Sequence, residues 1–186
     1  MVRVVAFVCA LACAIPAFAQ IKLPAGVDPQ NTIVLDTSHG RIVIKLRNDV
    51  APNHAARIKQ LARDGFYTNC TFHRVIPGFM AQTGDCTKGD GTGGSKYPNL
   101  KAEFSAVPFT RGVVGMARAS DPNSANSQFF IMYGDAAGLN GQYTVIGQVV
   151  SGMEAVDQIK KGSEADNGKV TGPDRIVRMQ VAADAK

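Results

Sequence analysis

Between Phe66 and Ile146 the chain strings together short apolar or aromatic runs broken by glycine and proline, with only one short stretch that could hold a regular helix. Glycine and proline interrupt long helices and long strands alike. A region built this way buries its apolar side chains through short strands and tight turns, which favours antiparallel β-structure. The flanks agree. Thr32–Asp36 and Arg41–Leu46 are rich in β-branched residues and are separated by Ser38-His39-Gly40, a hairpin pattern, and Arg175–Val181 alternates Val177, Met179 and Val181 with Arg178 and Gln180. Two segments change period. In the first, Pro52 suits an opening helical turn, Ala55, Ile58, Leu61 and Ala62 fall near 3.6-residue spacing, and Gly65 stands where a C-terminal cap belongs. The second runs from Met153 to Lys160, with Val156 and Ile159 facing one way and Gly162 beyond it. Strands at both ends with two helices between them predict a mainly β fold, a closed barrel, because closure removes exposed sheet edges. No internal repeat or linker interrupts residues 32–182, so one domain is expected, preceded by an arm over residues 20–31.

The first 19 residues stand apart. Arg3 precedes an apolar run from Val4 to Ile15, followed by Pro16, Ala17, Phe18 and Ala19 ahead of Gln20. A positive start, an apolar middle and an A-x-A-like end describe a cleaved export signal, and the run is shorter than the roughly 20 apolar residues of a spanning helix. Export to a periplasmic or extracellular location is therefore expected, with no membrane span. Of the four cysteines, Cys9 and Cys13 lie in that segment. Cys70 and Cys86 remain, and whether they pair in an oxidising compartment depends on a Cα separation that spacing does not reveal. The formal charge of +5 is mild and lacks a Lys/Arg run or interleaved aromatics, which argues for solubility and against nucleic-acid binding.

Several motifs lead nowhere on their own. Gly89-Asp90-Gly91-Thr92-Gly93-Gly94 matches the dinucleotide-binding G-x-G-x-x-G, but it runs into Ser95-Lys96-Tyr97-Pro98 where a helix should open, so a flexible loop is expected. Asn69-Cys70-Thr71 is a glycosylation triplet that matters only in a glycosylating host. Cys70 and His73 lack the further ligands of a zinc site and the third group that would orient a base, and hydrolysis through Ser127 or Cys70 has no supporting motif. Two segments hold more chemistry. Phe72 to Asp85 sets Arg74 and Gln82 among apolar residues around a Pro77-Gly78 bend. Since burying an unpaired guanidinium costs several kcal/mol, Arg74 either points to water or is held at a site. Gly115 to Ile131 repeats the mixture of amide, aromatic and small residues, and spacing alone leaves both segments balanced between core strand and site.

The runs FHRVIPGFMAQTGD, GTGG, GMARA, NSQFFI and LNGQYTVIGQV, in that order from Thr32 to Val181, closely resemble the cyclophilin family of peptidyl-prolyl isomerases, on its bacterial periplasmic branch. The resemblance implies an eight-stranded antiparallel barrel capped by two helices, with the active site in a groove on its outer face. It makes Arg74 the catalytic residue with His73 beside it, and Phe79, Met80, Phe130 and Leu139 the lining of a proline pocket. Gln82 and the backbone around Arg118 would hold the substrate chain, with Ala117, Ala119 and Gln128 as nearby wall and Tyr143 at the rim. The chain departs from the well-known eukaryotic pattern at Gly138, where relatives carry tryptophan, at Tyr143, where they carry histidine, and at Arg118, where they carry asparagine. The missing indole implies weak cyclosporin binding. The implied substrates are proline-containing peptides and folding exported proteins, handled by a monomer with no cofactor or metal. A proline-binding chaperone or assembly factor with incidental turnover is the alternative, since binding needs the pocket more than the arginine.

Overall fold

The computed structural model describes residues 23–185, so the expected export signal and the start of the arm lie outside the described residues. A 3₁₀ turn at Pro29–Asn31, capped by the Asp28 side chain accepting from the Gln30 N–H, leads into the domain. Eight strands follow in chain order: β1 (Thr32–Thr37), β2 (Gly40–Leu46), β3 (Arg74–Ile76), β4 (Met80–Thr83), β5 (Val113–Met116), β6 (Phe129–Met132), β7 (Val145–Ser151) and β8 (Ile176–Val181). Helix α1 spans Pro52–Arg63 and α2 spans Met153–Gln158, two residues short of the expected Lys160. Ile159 turns extended and caps α2 instead.

All eight strands form one antiparallel sheet in the order β3-β4-β6-β5-β7-β2-β1-β8. The expected barrel is therefore a half-barrel, not a fully closed one: β3 and β8 are its two ends and share no ladder. The gap is spanned by irregular chain. Thr71 bridges Arg175, the Phe72 N–H donates to the Asp174 carbonyl, and the Val75 N–H donates to the Gly168 carbonyl. The outer edge of β3 is taken by the irregular chain instead, where Arg74 bridges Lys169 and the Val170 N–H donates to the His73 carbonyl.

Period-two alternation sorts the strands into two faces. Ile33, Leu35, Ile42, Ile44, Val75, Ala81, Val114, Phe129 and Ile131 point inward and form the main core with Ala55, Ile58 and Leu61 of α1 and Val156 of α2. Tyr67 is fully buried there, edge-on to Phe129 at 5.6 Å, with its hydroxyl donating to the Ser127 carbonyl. The intervening residues Met80, Val113, Phe130, Met132 and Val145 point outward, yet they are buried as well, beneath Phe109 and loop residues. A sheet that is apolar on both faces needs cover on both, and the outer cover is where a groove forms. Helix α1 starts at Pro52 without a local side-chain cap. The Glu103 carboxylate supplies one from about fifty positions away, accepting from the Asn53 and His54 N–H groups and from the His54 ring.

Candidate active site

Strand pairing assembles the groove. Arg74 on β3 faces Gln82 on β4, Gln82 faces Phe130 on β6, and Phe130 faces Gly115 on β5, so one row of outward residues crosses four strands. Arg74 is held at three nitrogens. Its Nη1 donates to Gln82 Oε1 at 3.1 Å, its Nε to the Asn167 carbonyl at 3.0 Å and its Nη2 to Asn167 Oδ1 at 2.8 Å. Partial burial pulls its pKa down somewhat, but arginine starts so high that the charge persists at any working pH. The guanidinium is thus held by the protein in a fixed orientation and not left pointing freely to water.

Beside it lies a pocket of about 160 Å³ lined by Arg74, Phe79, Met80, Gln82, Ala117, Arg118, Phe130, Leu139 and Tyr143. Its floor is aromatic. Phe130 stacks on Phe109 at 5.8 Å, and Tyr143 meets Phe130 edge-on at 5.9 Å. Gly115 makes this stack fit, because a Cβ there would lie 2.5 Å from Phe130 and 2.6 Å from Phe109. Leu139 comes from a 3₁₀ turn at Ala137–Leu139 that is pinned where Asn140 accepts from the Phe109 N–H. Arg118 lies over the Tyr143 ring at 4.4 Å and donates to the carbonyls of Ala119, Ser120 and Gln142, tying two loops of the wall together. Next to this pocket, and sharing Gln82, Ala117 and Arg118 with it, is a wider polar cavity of about 560 Å³ whose lining includes Gly91, Gly93, Ala119, Asn126 and Gln128.

Most of the expected residues come together, divided between these two cavities. Arg74, Phe79, Met80, Phe130, Leu139 and Tyr143 line the apolar pocket alone, whereas Ala119 and Gln128 belong to the polar cavity. His73 lines neither. It is 7% exposed, its ring lies under Gly91, and burial lowers its pKa so that it is neutral at pH 7. Alternation along the strand sends His73 to the opposite side from Arg74. Cys70 is joined to Cys86 by a disulfide, which removes it as a thiol nucleophile, and Ser127 is fully buried with its hydroxyl donating to the Gly84 carbonyl. Among the described residues, no group of three or more His, Cys, Asp or Glu side chains is placed to hold a metal ion.

Sequence reasoning missed Asn167, which supplies two of the three acceptors on Arg74. Its signal was the Asn167-Gly168 dipeptide, a turn pair. Asn167 adopts a left-handed φ of 53°, which an asparagine tolerates better than most residues and which delivers its carbonyl and side chain to the same guanidinium. No local pattern announces which cation such a turn will meet.

The chain is matched over residues 32–181 by the family model described as "Cyclophilin type peptidyl-prolyl cis-trans isomerase/CLD". It is 56% identical over 176 residues to a "probable peptidyl-prolyl cis-trans isomerase" of Brucella suis, covering 89% of this chain and 90% of that one. Peptidyl-prolyl cis-trans isomerase B of Bacillus subtilis is 40% identical over 134 residues, 71% of this chain and 92% of the other. Among solved structures, a cyclophilin from Hirschia baltica superposes with a TM-score of 0.76 at 28% identity, covering 86% of this chain and 77% of that chain. A Cryptosporidium parvum cyclophilin-type isomerase, crystallised in the presence of the dipeptide Ala-Pro, gives a TM-score of 0.73 at 28% identity over 81% of this chain and 98% of the other. With the half-barrel, the outer groove and these matches in agreement, the chain belongs to the cyclophilin-type peptidyl-prolyl cis-trans isomerases, enzymes that act on proline-containing peptides.

Proposed function

We propose that this isomerase works without a covalent intermediate, that Arg74 polarises the prolyl nitrogen above the apolar pocket, and that its clients are exported proteins. The observation that carries the mechanism is a guanidinium fixed by Asn167 and Gln82 at the edge of a pocket otherwise lined mainly by apolar side chains. Rotation about a peptide C–N bond costs about 18 to 20 kcal/mol because the nitrogen lone pair is delocalised into the carbonyl. As the bond twists, the nitrogen becomes pyramidal and basic, and a preorganised cation stabilises that state more than either planar one. The pocket supplies the other half. At about 160 Å³ it is smaller than the 300–1,000 Å³ typical of whole small-molecule sites, which suits one pyrrolidine ring. Seating the ring of the prolyl residue leaves the preceding carbonyl free to swing. An acceleration of ~10⁴ needs about 5.5 kcal/mol of preferential transition-state binding. One charge-assisted hydrogen bond supplies about 1.5 to 3 kcal/mol, so Arg74 and the pocket must act together.

Arg74→Ala is expected to lower kcat/KM at least tenfold in a proline-peptide assay while circular dichroism stays that of the folded protein. An unchanged rate would remove Arg74 from the mechanism. The binding-factor alternative draws on the wide polar cavity of about 560 Å³ beside the apolar pocket. A strain carrying Arg74→Ala that keeps full function, where Phe79→Ala loses it, would favour that reading over catalysis. Export rests on the N-terminal pattern and is compatible with the Cys70–Cys86 disulfide, a bond favoured in oxidising compartments. N-terminal sequencing of the protein from its native host, with cleavage near Ala19/Gln20 expected, tests it.

A further inference from the structure

The glycine-rich segment that imitates a nucleotide-binding loop does cradle an anion, and that anion is the chain's own. Asp85, 1% exposed, accepts from the backbone N–H groups of Thr87, Lys88, Asp90, Gly91 and Gly93 and from the Thr87 hydroxyl. Successive N–H groups converging on one carboxylate form the kind of concavity that binds phosphate in other proteins. A Cβ at Gly93 would overlap the Asp85 carboxylate, so the loop approaches this closely only through glycine. Burial alone would raise the Asp85 pKa, but the backbone donors outweigh it and hold the group far below the usual carboxylate range, ionised whenever the protein is folded near neutrality.

The loop ordered in this way reaches the guanidinium by two amides. The carbonyls of Gly91 and Gly93, the same residues whose N–H groups bind Asp85, both accept from Gln128 Nε2, at 2.9 and 2.8 Å. That leaves Gln128 Oε1 to accept from Gln82 Nε2 at 2.9 Å, and Gln82 Oε1 to accept from Arg74. The relay has a direction because its two ends do. A backbone carbonyl can only accept and a guanidinium can only donate. If the carbonyl pair moved away, the Gln128 amide could reverse, the Gln82 amide would follow, and an NH₂ group would confront the guanidinium.

The geometry points to Asp85 as a positioning residue for isomerisation: by ordering the loop from Thr87 to Gly93 it sets the Gln128 and Gln82 amides and so holds Arg74 toward the pocket. This rests on Arg74 being catalytic. The test is a double-mutant cycle with Asp85→Asn, Arg74→Ala and the pair, read as kcat and KM in a proline-peptide assay. Asp85→Asn is expected to lower kcat five- to tenfold with KM changed less than twofold, and to have less than a twofold effect when Arg74 is already alanine. An undiminished kcat in folded Asp85→Asn, or the same loss in both backgrounds, would overturn the proposal. A full rate in Arg74→Ala by itself would sink the catalytic reading instead, so the two failures are distinguishable. A second readout is independent of turnover: the Arg74 Nε–H resonance in a ¹⁵N-labelled protein is expected to shift or broaden in Asp85→Asn, and an unmoved resonance counts against the relay. Should Asp85→Asn not fold, Gly93→Ala, which displaces the carboxylate from the loop side, carries the same cycle and the same two outcomes.

Discussion

Arg74 is useful because its bonds leave it oriented but not enclosed. Asn167 and Gln82 occupy three of its nitrogens and fix the plane of the guanidinium, while the side chain still borders the pocket. Lysine could not be held in this way, since it lacks the planar fork of donors. Gly138 shows the reverse case, a residue whose importance is the side chain it lacks. It sits within the 3₁₀ turn that carries Leu139, and a Cβ built there meets nothing within 4 Å. This is the position where the resemblance to eukaryotic relatives implies a tryptophan, and the space around its Cβ is open. Gly138→Trp is expected to raise cyclosporin affinity at least tenfold by calorimetric titration, with kcat on short peptides within threefold of the parent. No gain in affinity would show that the absent indole does not limit inhibitor binding.

At the level of elements, the site is a consequence of three short strands having apolar residues on both faces. β4, β5 and β6 each put their inward set into the main core and their outward set under Phe109 and Leu139. The outward stack tolerates no extra atom at Gly115, where a Cβ would strike both phenyl rings. Gly115→Ala is expected to cost about 1 to 3 kcal/mol in stability, the usual penalty of overpacking, measured by urea denaturation. It should also raise KM severalfold, because Phe130 must rotate into the pocket. A variant with parental stability and KM would mean that the rings relax freely. Helix α1 makes a related point, since its N-terminus is capped by Glu103 from a distant loop, and no residue next to Pro52 foretells it.

For the whole molecule, what matters is how an open sheet stays rigid at its ends. The β3 edge is covered by the chain from Gly162 to Asp174, and the segment that carries β3 and β4 is closed at its base by Cys70–Cys86 across a sequence separation of 16. In the loop-entropy picture a link of this length stabilises by about 3 kcal/mol. Reduction, or Cys86→Ser, is expected to lower the unfolding free energy by about that amount in urea titrations. Little loss of activity is expected well below the midpoint, because the Asp85 hydrogen bonds do not involve sulfur. Stability unaffected by reduction would place the loop closure in the unfolded chain as well. The described residues contain no helix long and apolar enough to cross a membrane.

Much of this was legible before any coordinates. The pocket residues were named only through the resemblance of a few ordered motifs to the cyclophilins, whereas glycine and proline punctuation announced short antiparallel strands, and period-two and 3.6-residue patterns located the hairpin, the last strand and both helices. These are local signals, written in the spacing of neighbouring residues. What only the tertiary structure decided lies between residues far apart in the chain. The sheet stops short of closure because the outer edge of β3 is taken by the chain around Lys169 and not by β8. Alternation turns His73 away from Arg74, but only the tertiary structure covers that side with the glycine loop at Gly91. Asn167, 93 positions from Arg74, orients it, and the loop that looked made for a phosphate closes on Asp85 instead. Residue type and spacing specify which side of an element a side chain takes. Which distant partner it meets there depends on how the whole chain packs.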